Sequence, residues 1–224
     1  SKNPATAKFI CRRLFQFFAS DDIDSAAEAV IEEMCVEYFN SNYEIRSVLR
    51  TLFNSEYFKS ESARFSRVKG PVEFVVGIIR LAGSYRLPTL GVEELAKQVL
   101  YMGQGLLQPP TVEGWHTGSE WIDGGTLNER INFAVNQFND VDTPGFRDLL
   151  GKLGGTVKSS ELVDRCLELM GYLEVSKETL QVLNGYDETV GDMDLSNEQT
   201  RHEDAGKIAR MIQLIVSTRE YQFA

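Results

Sequence analysis

The sequence predicts an all-α fold, and three observations support this prediction. Apolar residues recur at three- and four-residue steps along most of the 224 residues, which is the spacing of one helix face. Alternating strand patterns are nearly absent. Residues that favour helix starts precede several of the periodic segments. We expect one compact multi-helix domain over 1–224 with a long ordered loop rich in Gly, Pro and Trp, and an optional division into a core at 1–140 and a helical subdomain at 141–224.

The first predicted helix begins at Asn3 and Pro4. An Asn side chain can cap a helix, and Pro at the first helical position loses no needed donor. The helix that follows presents one apolar face, which we expect to be buried. The residues of this face are Phe9, Ile10, Leu14, Phe17 and Phe18.

Three more helices follow in the first part of the chain. Asp22 or Asp24 caps the second helix, and the third begins near Asn42. Pro71 opens the fourth helix, which is apolar on nearly every side and is therefore predicted to lie centrally.

Further helices are predicted in the second part. A helix starts at Thr126, because Thr126 with Glu129 matches a capping box. The segment Gly185–Thr200 is polar and acidic and is predicted to be an exposed connector. The remaining helices are expected at about 90–103, 144–152, 160–171, 176–184 and 203–218.

The segment Met102–Gly125 lacks the helical spacing of apolar residues. It holds a pair of prolines, several glycines and both tryptophans. Over about 20 residues this composition does not form a helix, and loops of this length in compact domains are usually functional or disordered. The two tryptophans favour an ordered loop.

The charge distribution argues against two classes of binding partner, nucleic acids and anionic lipids. The formal net charge is −10, so the chain lacks the basic footprint that phosphate backbones require, and no nucleic acid is expected. Residues 1–86 carry 12 basic and 11 acidic side chains, whereas residues 87–224 carry 11 and 22. The acidic second part disfavours docking on anionic lipid. No apolar run approaches the roughly 18 residues of a transmembrane helix.

The three cysteines are Cys11, Cys35 and Cys166. They lie in apolar helical patterns without C-x-x-C spacing, which indicates buried free thiols and no zinc site. A bridge between Cys11 and Cys35, on neighbouring helices, is the alternative if the protein is exported.

Several of these segments together resemble the C-terminal half of the bacterial domain-of-unknown-function family 1800. The most specific match is Gln-x-x-x-x-Pro-Pro-x-x-x-Gly-Trp, from Gln104 to Trp115. The chain departs from the family pattern at His116, where Pro is usual, and at Gly70, where Ser is usual. The matching stretches are Asn3–Ala7, Val68–Gly77, Gly103–Trp115, Trp121–Ile122, Leu127–Arg130 and Ser217–Gln222.

The resemblance implies a setting and no established chemistry. Family members are typically about twice this length and appear exported, which implies a missing N-terminal half and an extracytoplasmic location. They often occur beside sulfatase-like proteins of another uncharacterised family, which suggests a protein partner. The resemblance supplies no activity, no cofactor and no catalytic residues, and the oligomeric state stays open.

The best candidate site is the part of the loop that holds both tryptophans. Trp115 and Trp121 offer flat faces for a sugar ring or a partner side chain, and His116 and Glu120 can form an acid/base pair if they converge. Alternatively, both rings fill the core and hold the loop against the helices. Further polar contacts in the same segment would come from Glu113 and Asp123.

A second group of candidates lies beside the family-like motifs. Gln104 and Arg130 are taken as ligand-binding candidates, together with Lys69 and Glu73 near the start of the fourth helix. The alternative is structural, because an acidic residue in a first turn complements the positive end of a helix and Arg often pairs with a carboxylate.

The chain lacks strong catalytic and metal-binding motifs. It contains no phosphate loop, no G-x-S-x-G elbow and no H-E-x-x-H helix, and its two histidines cannot form a multi-His metal centre. Asp192, Asp194, Ser196 and Glu203 copy the acidic spacing of a calcium loop, but Asn197 replaces the turn glycine. We therefore expect no metal and no cofactor.

Two functions remain after these observations. The first is a non-catalytic binding or assembly module of an exported bacterial protein, which contacts a partner protein or a polysaccharide through the loop at 103–125. The second is the C-terminal part of a glycan-directed hydrolase whose active site is completed by the missing N-terminal half. The first is preferred because the sequence contains no strong catalytic constellation.

Overall fold

The computed structural model describes residues 3–85, 87, 90–197 and 199–224, and their fold is all-α. Among these residues, none of the helices combines the length and the apolar character needed to cross a bilayer. The α-helices are α1 (Pro4–Phe18), α2 (Ser25–Asn40), α3 (Ile45–Asn54), α4 (Pro71–Ala82), α5 (Glu94–Tyr101), α6 (Gly124–Asn136), α7 (Pro144–Leu153), α8 (Leu162–Leu169), α9 (Lys177–Val190) and α10 (Arg201–Val216).

The chain groups into two compact units. The first is Ser1–Val68 with Phe223–Ala224, and the second is Lys69–Gln222. The two units are defined by how tightly their residues pack, and they do not test whether the chain folds as one domain. The single domain over 1–224 and the division near residue 140 therefore both stay predictions.

The first unit is built from α1, α2 and α3. Two of the predicted helix starts are confirmed. The Asn3 side chain accepts from the Ala5 N–H, and Asp24 accepts from the Ala27 N–H. The C-terminal residues complete this unit, because Ala224 exchanges two backbone hydrogen bonds with Arg67. The buried core residues are Ala7, Cys11, Phe15, Ala19, Ala27, Val30, Ile31, Met34, Tyr38, Val48 and Leu52.

The predicted buried face of α1 is wrong at Phe9 and Phe17, whereas Ile10 and Leu14 pack against the core. Phe9 is 63% exposed and Phe17 is 68% exposed. The helix instead buries a stripe that begins with the small residues Ala7 and Cys11 and ends with Phe15. Small side chains at the start of this stripe leave room for the neighbouring helix, and Phe9 and Phe17 lie on the outside.

In the second unit, α4 is the most apolar helix, and α10 is the helix with the most buried residues. Helix α4 begins at Pro71 as predicted, and its left-handed C-cap is Gly83. It packs against α5, α6 and α7, while α10 packs against α6, α8 and α9. Helix α6 therefore contacts both.

A two-stranded antiparallel sheet lies in the second unit. β1 (Thr156–Val157) pairs with β2 (Met193–Asp194), and Val157 lies opposite Met193. Both of these side chains are fully buried.

The predicted connector at Gly185–Thr200 is therefore wrong in most of its length. Helix α9 continues to Val190, and β2 follows directly. Most polar residues of this segment face solvent, while Asp187, Met193 and Leu195 are buried. Glu198, within the same segment, lies outside the described residues.

The start of α6 differs from the predicted one by three residues. Asp123 is the N-cap, and its carboxylate accepts from the N–H groups of Gly125 and Thr126. The Thr126 hydroxyl in turn accepts from the Asp123 N–H. Thr126 thus serves as the third helical residue of a capping box.

Candidate functional site

The loop that joins α5 to α6 is fixed to the second unit by Trp121. This ring is only 6% exposed. It covers Gly103, because a Cβ added at Gly103 would lie 3.8 Å from the Trp121 Cζ3 atom. Gly103 has φ +98°, which favours glycine. The beginning and the end of the loop are thereby held together.

Trp115 makes a second connection within the loop. Its indole Nε1–H donates to the Gly105 carbonyl oxygen at 3.0 Å. The Trp115 side chain is half-buried. Both tryptophans therefore stabilise the loop, and Trp121 has no exposed face for a planar ligand.

The tip of the loop presents apolar side chains to solvent. A tight turn joins Thr111 to Gly114 through an antiparallel bridge. Val112, within this turn, is fully exposed, as is nearly all of Leu107. Leu107 adopts φ +59°, an uncommon conformation for a branched side chain. Leu106 is about half exposed. Leu106, Leu107 and Val112 were not named as candidate site residues in the sequence analysis. The available signal was the pair of leucines between Gly105 and Pro109, because apolar side chains in a Gly- and Pro-rich loop are often exposed.

The side chains of His116 and Glu120 lie next to each other, which is the arrangement that an acid/base pair would require. The His116 Nδ1 atom lies 3.3 Å from the Glu120 Oε2 atom. The His116 ring also meets Trp121 edge to face, with 6.0 Å between the ring centroids. Both polar side chains are more than half exposed. The pair is thus a solvated ion pair on the surface of the loop when His116 is protonated.

Gln104 contacts the start of α4 and not the exposed part of the loop. Its Oε1 atom accepts from the Val72 N–H at 2.9 Å. This N–H belongs to the first turn of α4, where backbone donors lack helical partners. Gly70, the N-cap, supplies no side-chain bond. Gln104 therefore caps α4 from a distant position in the sequence.

Arg130 lies near the same end of α4 and is completely buried. Its Nη2–H donates to the Lys69 carbonyl oxygen at 2.8 Å, and its Cζ atom lies 5.2 Å from the centre of the Phe74 ring. Burial lowers the pKa of Arg130 to about 10, although nearby Glu73 opposes this shift. The Nε and Nη1 atoms are buried without a hydrogen-bond partner.

The Lys69 side chain and Tyr221 also meet in this region. The Lys69 Nζ atom donates to the Tyr221 carbonyl oxygen at 2.8 Å and lies 4.0 Å from the centre of the Tyr221 ring. Sequence reasoning missed Tyr221, because nothing in its local pattern indicates a partner so far away in the chain. These contacts connect the first residues of α4 to the C-terminal segment of the second unit.

The six predicted site residues therefore fall into two groups. Trp115, His116, Glu120 and Trp121 lie together in the loop. Gln104 and Arg130 lie at the start of α4, where their contacts with Val72 and Lys69 are structural.

The carboxylates of the calcium-like spacing make local hydrogen bonds. Asp192 accepts from the Ser159 N–H, and Asp194 accepts from the Ser196 N–H. Glu203 forms an ion pair with Lys207, with 3.2 Å between the Glu203 Oε1 and Lys207 Nζ atoms. Across residues 3–85, 87, 90–197 and 199–224, no group of three or more His, Cys, Asp and Glu side chains is arranged to hold a metal.

Comparison with known protein families identifies the family of this chain. The sequence model of DUF1800, a protein family of unknown function, matches residues 1–223. The chain belongs to the DUF1800 family. The DUF1800 match includes every residue of the candidate site, from Gln104 to Arg130. Searches of curated proteins and of solved structures found no significant match.

Proposed function

We propose that this DUF1800 protein is a non-catalytic binding or assembly module that contacts a partner protein through the loop at 103–125. The observation that carries the proposal is the exposure of Leu106, Leu107 and Val112 on a loop held by buried and half-buried tryptophans. Exposed apolar groups on a fixed loop can be buried against a partner with little loss of conformational entropy.

The position of the tryptophans supports a protein partner over a polysaccharide. Sugar rings stack on aromatic faces that solvent can reach, and Trp121 is buried. Trp115 retains a partly exposed face. The apolar tip at Leu107 and Val112 suits the side chains of a protein interface better than hydroxyl-rich sugars.

The setting of the proposal comes from the family resemblance. It suggests an extracytoplasmic, bacterial protein whose partner is the sulfatase-like protein that typically occurs beside this family. Location and partner are both part of the proposal.

A hydrolase function is the second candidate, and the 3.3 Å approach of His116 and Glu120 favours it. The two groups can exchange a proton at that distance. Their exposure to solvent weakens the candidate, because general acid/base pairs usually act where water is excluded.

The decisive experiment is a binding titration of the whole chain with the neighbouring sulfatase-like protein. We expect saturable binding that the double substitution Leu107→Ser with Val112→Ser weakens about 100-fold, since buried apolar anchors contribute most of the affinity at interfaces. Val182→Ser is the control, because Val182 is also an exposed valine and lies on α9, outside the loop. Equal affinity of the loop variant and the control would contradict the proposal.

A second measurement separates the alternatives. Both tryptophans lie in the loop, so their fluorescence reports on it alone. We expect no saturable change on adding bacterial or algal oligosaccharides, with or without calcium. A saturable change that Trp115→Phe abolishes would favour polysaccharide binding, and glycan cleavage that Glu120→Gln abolishes would favour the hydrolase.

A further inference from the structure

Two cysteines meet between the first two helices of the first unit. Cys11 lies on α1 and is fully buried, and Cys35 lies on α2 and is half-buried. Cys35 packs against the core that includes Cys11, and the proximity of Cys35 contributes to the raised pKa of the Cys11 thiol. The helices are joined by the short segment 19–24, so they remain neighbours.

We propose that Cys11 and Cys35 are a redox-sensitive dithiol that closes to an intramolecular disulfide by exchange with a small-molecule disulfide such as oxidised glutathione. The resulting bond would connect the middle of α1 to α2. This proposal concerns the first unit and does not depend on the binding function of the 103–125 loop.

The exchange proceeds in two steps. The Cys35 thiolate attacks one sulfur of oxidised glutathione, which forms a mixed disulfide on Cys35 and releases one glutathione thiolate. The Cys11 sulfur then attacks the Cys35 sulfur as the Cys11 proton passes to solvent, and the second glutathione leaves. Two protein thiols are oxidised, and one glutathione disulfide is reduced to two thiols.

Exposure sets the order of these steps. Cys35 is within reach of solvent, whereas Cys11 has no exposed surface. Burial raises the pKa of the Cys11 thiol to about 12, so little Cys11 thiolate exists at neutral pH. Cys11 therefore acts only after a mixed disulfide has formed beside it.

Cys166 provides an internal reference. It is fully buried on α8 in the second unit, and burial raises its pKa to about 12. Its thiol resembles that of Cys11 in exposure and pKa, but no other cysteine lies in the second unit. If burial alone governed oxidation, Cys11 and Cys166 would behave alike.

The test uses the whole reduced chain, incubated with oxidised glutathione and quenched with an alkylating reagent. We expect intact mass spectrometry to show the loss of two hydrogens, and peptide mapping to join Cys11 to Cys35 while Cys166 stays reduced. The bond closes a loop of roughly 25 residues, so the oxidised form should unfold several degrees higher than the reduced form. These readouts require no variant.

Three variants sharpen the result. Cys11→Ala should accumulate the mixed disulfide on Cys35, Cys35→Ser should leave Cys11 reduced, and Cys166→Ser should still form the bond. A persistent glutathione adduct on wild-type Cys35, a disulfide between two chains, or no oxidation at all would each overturn the proposal. None of these outcomes affects binding through the loop, so the two proposals fail separately.

Discussion

Tyr221 illustrates how the surroundings of one side chain change its chemistry. Its ring is buried, lies edge to face with Phe74 at 6.1 Å between centroids, and has the Lys69 ammonium above it. Burial raises the pKa of Tyr221 to about 12, because the phenolate cannot be hydrated there. The neutral phenol is therefore the form that the fold stabilises.

This shift predicts a loss of stability at alkaline pH. The folded chain keeps the Tyr221 proton between about pH 10 and 12, while the unfolded chain releases it, so the free energy of unfolding falls as pH rises through this range. Between pH 9 and pH 11, the free energy of unfolding should fall by about 1 kcal/mol less in Tyr221→Phe than in the wild type. Urea unfolding at both pH values measures it.

The exposed Tyr101 supplies the control for this measurement. Tyr101→Phe should leave the pH dependence of the wild type unchanged. All three proteins retain their cysteines, so any cysteine contribution is common to them. The same pH dependence in Tyr221→Phe and in the wild type would refute the assignment to Tyr221.

At the scale of elements, the contact between α4 and α7 depends on a glycine. Gly145 lies in the first turn of α7, and a Cβ there would overlap the Ala82 carbonyl oxygen and the Gly83 backbone. Gly83 ends α4 in a left-handed conformation. The two helices can approach each other this closely only without a side chain at residue 145.

Alanine substitutions test this contact. Gly145→Ala should lower the free energy of unfolding by about 2–3 kcal/mol, because backbone atoms must move to admit the methyl group. Gly151→Ala in the same helix meets no atom within 4 Å and should raise stability by about 0.5–1 kcal/mol. Chemical denaturation of both variants distinguishes them, and similar changes in both would disprove the close approach.

Helix starts could be predicted from the sequence because capping depends on a few adjacent residues. Asn3 and Pro71 were identified in this way, and Asp24 was one of two candidates. In the structure Asn3 and Asp24 are N-caps and Pro71 is the first residue of α4. Thr126 was misassigned because Asp123, three residues earlier, is an equally good cap and also bonds to it. Competition between two local caps is decided by the rest of the chain.

Burial could not be predicted so well, because it depends on distant partners. Phe9 and Phe17 are large apolar residues of α1 that stay exposed, because α1 buries the face with Ala7, Cys11 and Phe15 instead. Similarly, His116 and Glu120 lie four residues apart and their side chains meet, while the contact of Gln104 with Val72 joins residues 32 positions apart. Sequence spacing contains no information on such a contact.

At the scale of the whole molecule, charge is unevenly distributed. Residues 69–222 contain 23 acidic and 14 basic side chains, whereas the remaining residues contain 10 and 9. In the second unit, burial raises the pKa of Asp187, and the adjacent Glu188 raises it further. Like charges at this density oppose folding.

Salt should therefore stabilise the protein. Raising sodium chloride from 20 to 500 mM should increase the melting temperature by about 3 °C, because screening reduces the repulsion among the acidic residues. Glu188→Gln should unfold at a higher temperature than the wild type in low salt, and the difference should shrink in high salt. Differential scanning calorimetry measures both, and a fall in melting temperature with salt would contradict this expectation.

The pairing of Ala224 with Arg67 also constrains how the chain is made. The first unit holds residues from both ends of the sequence, and the whole of Lys69–Gln222 lies between them. A ribosome releases α1, α2 and α3 before Lys69–Gln222, and the backbone bonds between Arg67 and Ala224 form only after all of Lys69–Gln222 has been made. The unit that contains α1, α2 and α3 is thus completed only after the second unit has been made, which gives chaperones and proteases a long interval in which to act on it.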